Sequence, residues 1–365
     1  MPQKRETELP ACYAMVQPGL ESVAADEITR DLGGQVKKSE RGIVVFRVPT
    51  IGPALLKLRT VEDVFLLAWG SDALSLRAED LDKIQKWTAR SADWPKLLQL
   101  HHSIRPKPSG KPTWHAVTQM IGEHGYRRTD ARESFLRGLA GHFPASWKLV
   151  DEHAAVEFWL TIHGRTAVCG LRLSDQTMRH RDYKVEHLPA SLRPTVAAAM
   201  VRLAGAAPEQ IVLDPTCGTG TILAEQLILA RQRHFATSVL GGDIDRTAVQ
   251  AARFNMRRCA AASERWQLAQ WDAGRLPLAD ASIDRIIANP PFGKQLSTPE
   301  EVRPLYRRLV SEADRILRPD GRAVLLVGEP QWLRPAITSV GWHPVRQLRV
   351  RVLGQSAELS VWRKG

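Results

Sequence analysis

From Leu192 to Trp362, short apolar runs rich in β-branched residues alternate with segments of helical spacing. This alternation leaves few folds open, because parallel strands need a crossover of a dozen or more residues and a helix usually supplies it. Strands are expected at Ile211–Leu213, Ser238–Gly242, Trp266–Gln270, Ile283–Ala288, Ala323–Val327, Val345–Val352 and Ala357–Trp362. Helices are expected at Leu192–Leu203, Thr221–Arg231, Thr247–Arg257, Val302–Leu317 and Trp332–Ser339. Continuous apolar runs suit strands covered on both faces, so the second half reads as a parallel α/β sheet.

The first four strands each end on a polar residue. Asp214-Pro215-Thr216-Cys217-Gly218-Thr219-Gly220-Thr221 follows the first. A glycine-rich turn between strand and helix lets backbone approach a ligand closely, with helix N–H groups facing it. Asp214 would repel a phosphate there and suits a cationic amino group, which points to S-adenosylmethionine, zwitterionic in its methionine half and cationic at sulfur. The second strand ends in Gly241-Gly242-Asp243-Ile244-Asp245, where Asp243 can accept both ribose hydroxyls. The third ends in Trp271-Asp272-Ala273, with Asp272 placed to accept from an adenine amino group.

The fourth strand, Ile283–Ala288, stops at Asn289-Pro290-Pro291-Phe292. Two prolines forbid further pairing and a helix start, so the chain leaves in a stiff, extended turn. The Asn289 side chain and the Pro290 carbonyl can grip a planar amine between two acceptors while Phe292 stacks on its ring. Each strand end alone also has a capping or turn explanation. Jointly they favour a ligand site at the carboxyl edge of the sheet, where open α/β folds bind ligands. Cys217 is read as a small turn residue, since displacement at an activated methyl needs no covalent intermediate.

Together these residues resemble the class I S-adenosylmethionine-dependent methyltransferases, over about half the chain, Leu188 to Lys364. Asn-Pro-Pro-Phe is similar to the branch of that class that methylates exocyclic amines or glutamine. His187-Leu188-Pro189-Ala190-Ser191-Leu192-Arg193-Pro194-Thr195 resembles the segment preceding the cofactor sheet in THUMP-containing RNA guanine-N2 methyltransferases. Ala14-Met15-Val16-Gln17-Pro18-Gly19-Leu20-Glu21 is similar to the opening strand and turn of that family. The resemblance implies catalytic roles for Asn289, Pro290 and Phe292. It implies cofactor contacts at Asp214, Thr216, Cys217, Gly218, Gly220, Thr221, Asp243, Ile244, Asp272 and Ala273, with Arg193 and Thr195 ahead of the sheet. Arg193 has a helix-capping alternative.

The implied fold is a Rossmann-like class I methyltransferase sheet preceded by an α+β ferredoxin-like domain and a THUMP domain. The expected boundaries are 1–60 for the ferredoxin-like domain, 61–175 for THUMP and 176–365 for the methyltransferase, with 176–188 a linker. Over the first sixty residues the pattern is strand, helix, hairpin and helix, with the hairpin turning at Arg41-Gly42. Beyond it, a strand from Trp114 to Met120, a basic turn and a helix from Thr129 to His142 fit the THUMP order. In that family THUMP binds the single-stranded 3′ end of tRNA, which makes Arg127, Arg128 and Arg132 RNA-contact candidates. Arg181, in the polar run 179–184, and Lys294 are added to them. A solvated helix entry is the alternative for the first three, and a solvated loop lysine for Lys294.

Charge agrees with a polyanionic partner: 51 Lys+Arg against 39 Asp+Glu give a formal +12. The four cysteines, at 12, 169, 217 and 259, share no close spacing, and none of the eleven histidines has metal spacing, so no metal is expected. No apolar run approaches the ~18–20 residues of a membrane span. The amino-terminal residues lack the apolar centre of a signal peptide, so a cytoplasmic location is expected. The leading expectation is tRNA guanine-N2 methylation at the sixth nucleotide of the acceptor stem. Asn289 stands where some guanine-N2 enzymes carry Asp, and adenine remains the alternative base. The rivals are ribosomal RNA as substrate, DNA adenine, protein glutamine, and a non-enzymatic RNA-binding protein.

Overall fold

The computed structural model describes residues 11–106, 110–144, 146–189, 191–292, 299–352 and 354–365, with the side chains of 299–301 outside the description. The chain divides into two compact units. One comprises the residues up to Val16 together with Ala25–Met178, the other Gln17–Ala24 with Arg179–Gly365.

In the first unit the elements are β1 (Cys12–Val16), α1 (Glu21–Leu32), β2 (Gln35–Glu40), β3 (Ile43–Arg47), a 3-10 turn at Pro53–Lys57 and β4 (Val61–Ser71). They continue as α2 (Glu79–Arg90), α3 (Trp94–Ile104), β5 (Thr113–Ile121), α4 (Arg128–Leu139), β6 (Lys148–Leu149), β7 (Val156–His163) and β8 (Thr166–Arg172). A short helix, α5 (Thr177–His180), follows. One eight-stranded sheet holds the unit together, in the order β2-β3-β1-β4-β8-β7-β5-β6. The strand pairs are antiparallel except at β5, which runs parallel to β6 and β7.

The boundary expected at 60/61 is therefore not a break in the sheet. β4 pairs with β1, Ala14 opposite Val64, and also with β8, Leu66 opposite Leu171. Between β4, β8 and β7, Arg172 is bonded to both Asp63 and Glu157. A strand shared by two halves makes them one hydrogen-bonded body, and local pattern could not reveal the sharing.

The second unit contains α6 (Pro194–Ala204), β9 (Ile211–Asp214), α7 (Thr221–Gln232), β10 (Ser238–Asp243), α8 (Arg246–Cys259), β11 (Arg265–Gln270) and β12 (Ile283–Ala288). It ends with α9 (Pro299–Ile316), β13 (Leu317–Val327), α10 (Pro330–Ser339), β14 (His343–Val352) and β15 (Gln355–Arg363). The strand order is β11-β10-β9-β12-β13-β15-β14. The first five are parallel and β15 and β14 form an antiparallel hairpin. Every expected element of this half is present; β13 begins at Leu317 instead of Ala323.

β12 shows why the fold is stable. Ile286, Ile287 and Ala288 are fully buried, as a central strand with helices on both faces requires. Ile286 and Ala288 join Tyr306, Val310 and Ile316 of α9 and Leu325 and Val327 of β13 in one core. The chain runs outward from β9 to β10 and β11, then crosses back to β12 on the other side of β9. At such a reversal the connections diverge and leave a crevice outside the carboxyl ends of the strands. Among the described residues no helix is long and apolar enough to cross a membrane.

Candidate active site

A cavity of about 750 Å³ opens at that crevice, a size suited to a small-molecule cofactor. Asp214, Thr216, Cys217, Gly218, Thr221, Asp243, Ile244, Asp272, Ala273, Asn289, Pro290 and Phe292 all line it. The sheet thus brings together residues that the chain spreads over nearly eighty positions.

The turn after β9 builds one wall. Gly218 has φ +50, and a Cβ added there would meet nothing within 4 Å, so the space beside it is open. Its N–H donates to Asp243 Oδ2 at 3.0 Å, and Asp243 Oδ1 accepts from the Asp245 N–H at 3.1 Å. Asp243 is thereby oriented from both sides by backbone, with lone pairs left for a ligand. Gly220, at φ +77, has a different use. Its Cβ would lie 3.2 Å from that of Ala252, so glycine lets α7 pack close to α8, and the residue does not line the cavity.

Asp214 is buried and accepts from the Thr216 N–H at 3.1 Å. Burial, with the negative charge of Asp243 nearby, pushes its carboxyl well above the usual range. A cation placed beside it would restore the ionised form. Burial likewise pushes the Cys217 thiol up, with Asp214 and Asp243 adding to the effect, so this cysteine is a poor nucleophile. Trp271 joins two strand ends, its indole N–H donating to the Pro215 carbonyl at 3.1 Å. Gly242 makes room for it, since a Cβ there would lie 2.4 Å from the indole.

Asp272 reaches the cavity already engaged. Its Oδ1 accepts from the Gly274 N–H at 2.8 Å and its Oδ2 pairs with Arg308 of α9 at 2.9 Å. Beyond β12 the turn is clamped. The Tyr306 hydroxyl, on a fully buried ring, donates to the Pro291 carbonyl at 2.9 Å. Phe292 lies against Gly328, where any Cβ would come within about 3 Å of its ring. Asn289 Oδ1 and Thr216 Oγ1 are buried without a hydrogen-bond partner among the described residues. Unsatisfied buried acceptors are costly, and on a cavity wall a ligand can supply the missing donor. The donor set of carboxylates, an amide oxygen and open glycine backbone fits S-adenosylmethionine.

The segment expected to be a polar linker is instead part of the site. Arg181 is buried and paired with Glu225 of α7 at 3.2 Å, and Tyr183 donates to the same oxygen at 2.8 Å. This corrects its reading as an RNA contact: the guanidinium neutralises a buried carboxylate. Burial also holds the Lys184 ammonium down to about 8. Asn255 of α8 accepts from the Val185 and Glu186 N–H groups and donates to the Glu186 and Thr219 carbonyls. Ser191 Oγ lies 3.3 Å from Thr219 Oγ1. These bonds strap residues 181–189 and 191–192 onto the glycine-rich turn, so that Leu188, Pro189, Ser191 and Leu192 line the cavity.

Arg193 and Thr195, also expected at the site, stand apart from the cavity. Arg193 is exposed at the N-cap of α6 and Thr195 is buried in that helix's first turn; neither lines the cavity. In the first unit, Arg127 caps α4 and pairs with Asp130 at 3.2 Å. Arg128 and Arg132, one turn apart, donate to the Thr118 and Ala116 carbonyls of β5 at 3.4 Å. All three stand at the amino-terminal end of α4. Lys294 lies outside the described residues. Sequence pattern missed Tyr306, Arg308, Gly328 and Asn255, because nothing local marks a residue whose partner is remote in the chain.

Residues 181–357 match the UPF0020 family model, the RMKL-like methyltransferase domain. The second half of this chain is similar to that methyltransferase domain. Its cavity and clamped Asn-Pro-Pro-Phe turn fall within the matched region. The tRNA (guanine(6)-N2)-methyltransferase of Thermus thermophilus is 28% identical over 327 residues, covering 89% of this chain and 91% of that protein. The mouse tRNA (guanine(6)-N(2))-methyltransferase THUMP3 is 30% identical over 250 residues, covering 64% of this chain; the chain spans about half the length of that relative, 48%. The crystal structure of TrmN from Thermus thermophilus superposes with a TM-score of 0.78 at 26% identity, covering 98% of this chain and all of TrmN. The likeness to TrmN thus extends beyond the methyltransferase domain.

Proposed function

We propose that this protein is an S-adenosylmethionine-dependent tRNA methyltransferase forming N2-methylguanosine, at the sixth nucleotide in the acceptor stem. The observation that carries the reading is Asn289 Oδ1, a buried acceptor without a partner among the described residues, in one cavity with Asp214, Asp243 and Asp272. The names of the Thermus and mouse relatives support guanosine 6 and tRNA. Similarity over nearly the whole Thermus protein supports assigning residues up to 175 to a ferredoxin-like and a THUMP module that receive the tRNA 3′ end.

When bound, S-adenosylmethionine supplies an electrophilic methyl group. Asp214 would hold its ammonium, Asp243 the ribose hydroxyls and Asp272 the adenine amine. Guanine N2 is a poor nucleophile because its lone pair is delocalised into the ring. Asn289 Oδ1 and the Pro290 carbonyl, accepting from the two N–H bonds, favour a pyramidal nitrogen with its lone pair aimed into the cavity. Phe292 stacks on the base, and Gly328 and Tyr306 keep ring and turn in place. Asn289 is no base, so the proton leaves to solvent after N–C bond formation. The rate gain comes from alignment and charge placement. A base paired in the stem must first swing out, at ~a few kcal/mol.

The test is tritiated methyl incorporation into an unmodified tRNA transcript, with mass mapping of the product. We expect N2-methylguanosine at position 6 and its loss when that guanosine is replaced. Asn289→Ala is expected to lower the turnover rate by about a hundredfold or more, the cost of misaligned reactants. A wild-type protein that methylates no tRNA would sink the reading, and an unimpaired Asn289→Ala would remove the amine grip.

A further inference from the structure

We infer that α9 carries the phosphate-holding strip of the methyltransferase domain, with Arg303 and Arg307 on its outward face and Arg308 at the cavity wall gripping the backbone of the RNA. α9 is the helix that follows the Asn-Pro-Pro-Phe turn, and its inner face is committed to that turn. Tyr306 holds the Pro291 carbonyl, and Leu305 and Arg308 line the cavity. Arg303 and Arg307 are exposed one helical turn apart, about 6 Å along the axis, and Arg308, also exposed, stands roughly 100° round the helix from Arg307. Neither Arg303 nor Arg307 has an acidic partner among the described residues.

Arg308 links the strip to the cofactor side. One of its nitrogens is fixed on Asp272 Oδ2 at 2.9 Å, and its side chain packs over Gly274, where a Cβ would lie 2.9 Å from it. It remains half exposed, at 55%. A guanidinium has five donors, so one anchored on a carboxylate keeps others for a phosphate. Three cations within two turns of one helix, one of them on the cavity wall, suit a partner whose charges repeat along a strand. That partner is the backbone of the RNA whose base enters the cavity, and the inference rests on the tRNA reading in this respect.

α8 supplies an internal control. Arg253 and Arg257 are equally exposed there and unpaired among the described residues, but they lie beyond Ala248, the last α8 residue on the cavity. Binding is measured by fluorescence anisotropy with an unmodified tRNA transcript across a salt series, alongside methylation rates against tRNA concentration. We expect Arg303→Ala/Arg307→Ala to raise Kd and KM about tenfold, to lower the salt slope by about two, and to leave kcat within about twofold. Arg303→Lys/Arg307→Lys should retain most of the binding, and Arg253→Ala/Arg257→Ala should bind like the wild type. Unchanged Kd and KM in the α9 alanine variant would overturn the strip, as would an equal loss in the α8 variant. If the wild type methylates no RNA, the enzymatic reading falls while the anisotropy still decides the strip.

Discussion

Asp214 couples the cavity to pH. Its carboxyl is buried and held well above the usual range, so the empty protein favours the neutral form. Ionising it costs the folded state, and stability is lost as pH rises from the ordinary carboxylate range towards the raised value. A cationic ligand reverses the preference, so binding should release a proton. We expect affinity for S-adenosylmethionine to rise with pH until Asp214 ionises in the free protein and to level off above. Calorimetry in buffers of different ionisation enthalpy reads the proton directly, and Asp214→Asn should abolish both the release and the slope. A slope that survives in Asp214→Asn assigns the proton to another group.

Among the elements, the strap of residues 181–189 and 191–192 is held by bonds that no single helix or strand provides. Asn255 is its central bolt: fully buried, it bonds the Val185, Glu186 and Thr219 backbones at once. Asn255→Ala would leave two part-buried N–H groups and two carbonyls without this partner. Each orphaned group costs ~1–3 kcal/mol, and partial relaxation should leave a net loss of about 3 kcal/mol, readable in urea unfolding. Because the strap lines the cavity, cofactor affinity should fall with it. If stability drops while affinity is unchanged, the strap is only a clasp.

Over the whole molecule, the cavity is lined entirely by residues of the second unit, and Arg127, Arg128 and Arg132 belong to the first. Their joint replacement by alanine should therefore weaken tRNA binding and flatten its salt dependence, the slope falling by about one for each phosphate no longer neutralised. S-adenosylmethionine affinity should stay at the wild-type value. Arg127 is already paired with Asp130, so most of the effect is expected from Arg128 and Arg132. Equal tRNA affinity in the triple variant would place this unit's hold on RNA elsewhere. The formal +12 makes some salt dependence inevitable, so the measurement that counts is the difference in slope.

The parallel sheet and the polar strand ends were legible in the sequence because their causes are local. A β-branched run, a glycine-rich turn and two prolines act on the few residues beside them, and a strand that stops on Asp214, Asp243, Asp272 or Asn289 carries that residue to the sheet edge whatever else happens. Partners distant in the chain were not legible. Arg181 looked like a surface cation until the fold brought Glu225, 44 residues on, against it. Asp272 acquired Arg308 from 36 residues away. Nor did local pattern show that β4 pairs on both its edges, joining the strands on either side of residue 60 in one sheet. Local propensity decides which elements form and which residues stand at their ends. Burial and pairing depend on surfaces that meet only when the chain closes, so tertiary structure alone decided which charges are neutralised and which still face a ligand.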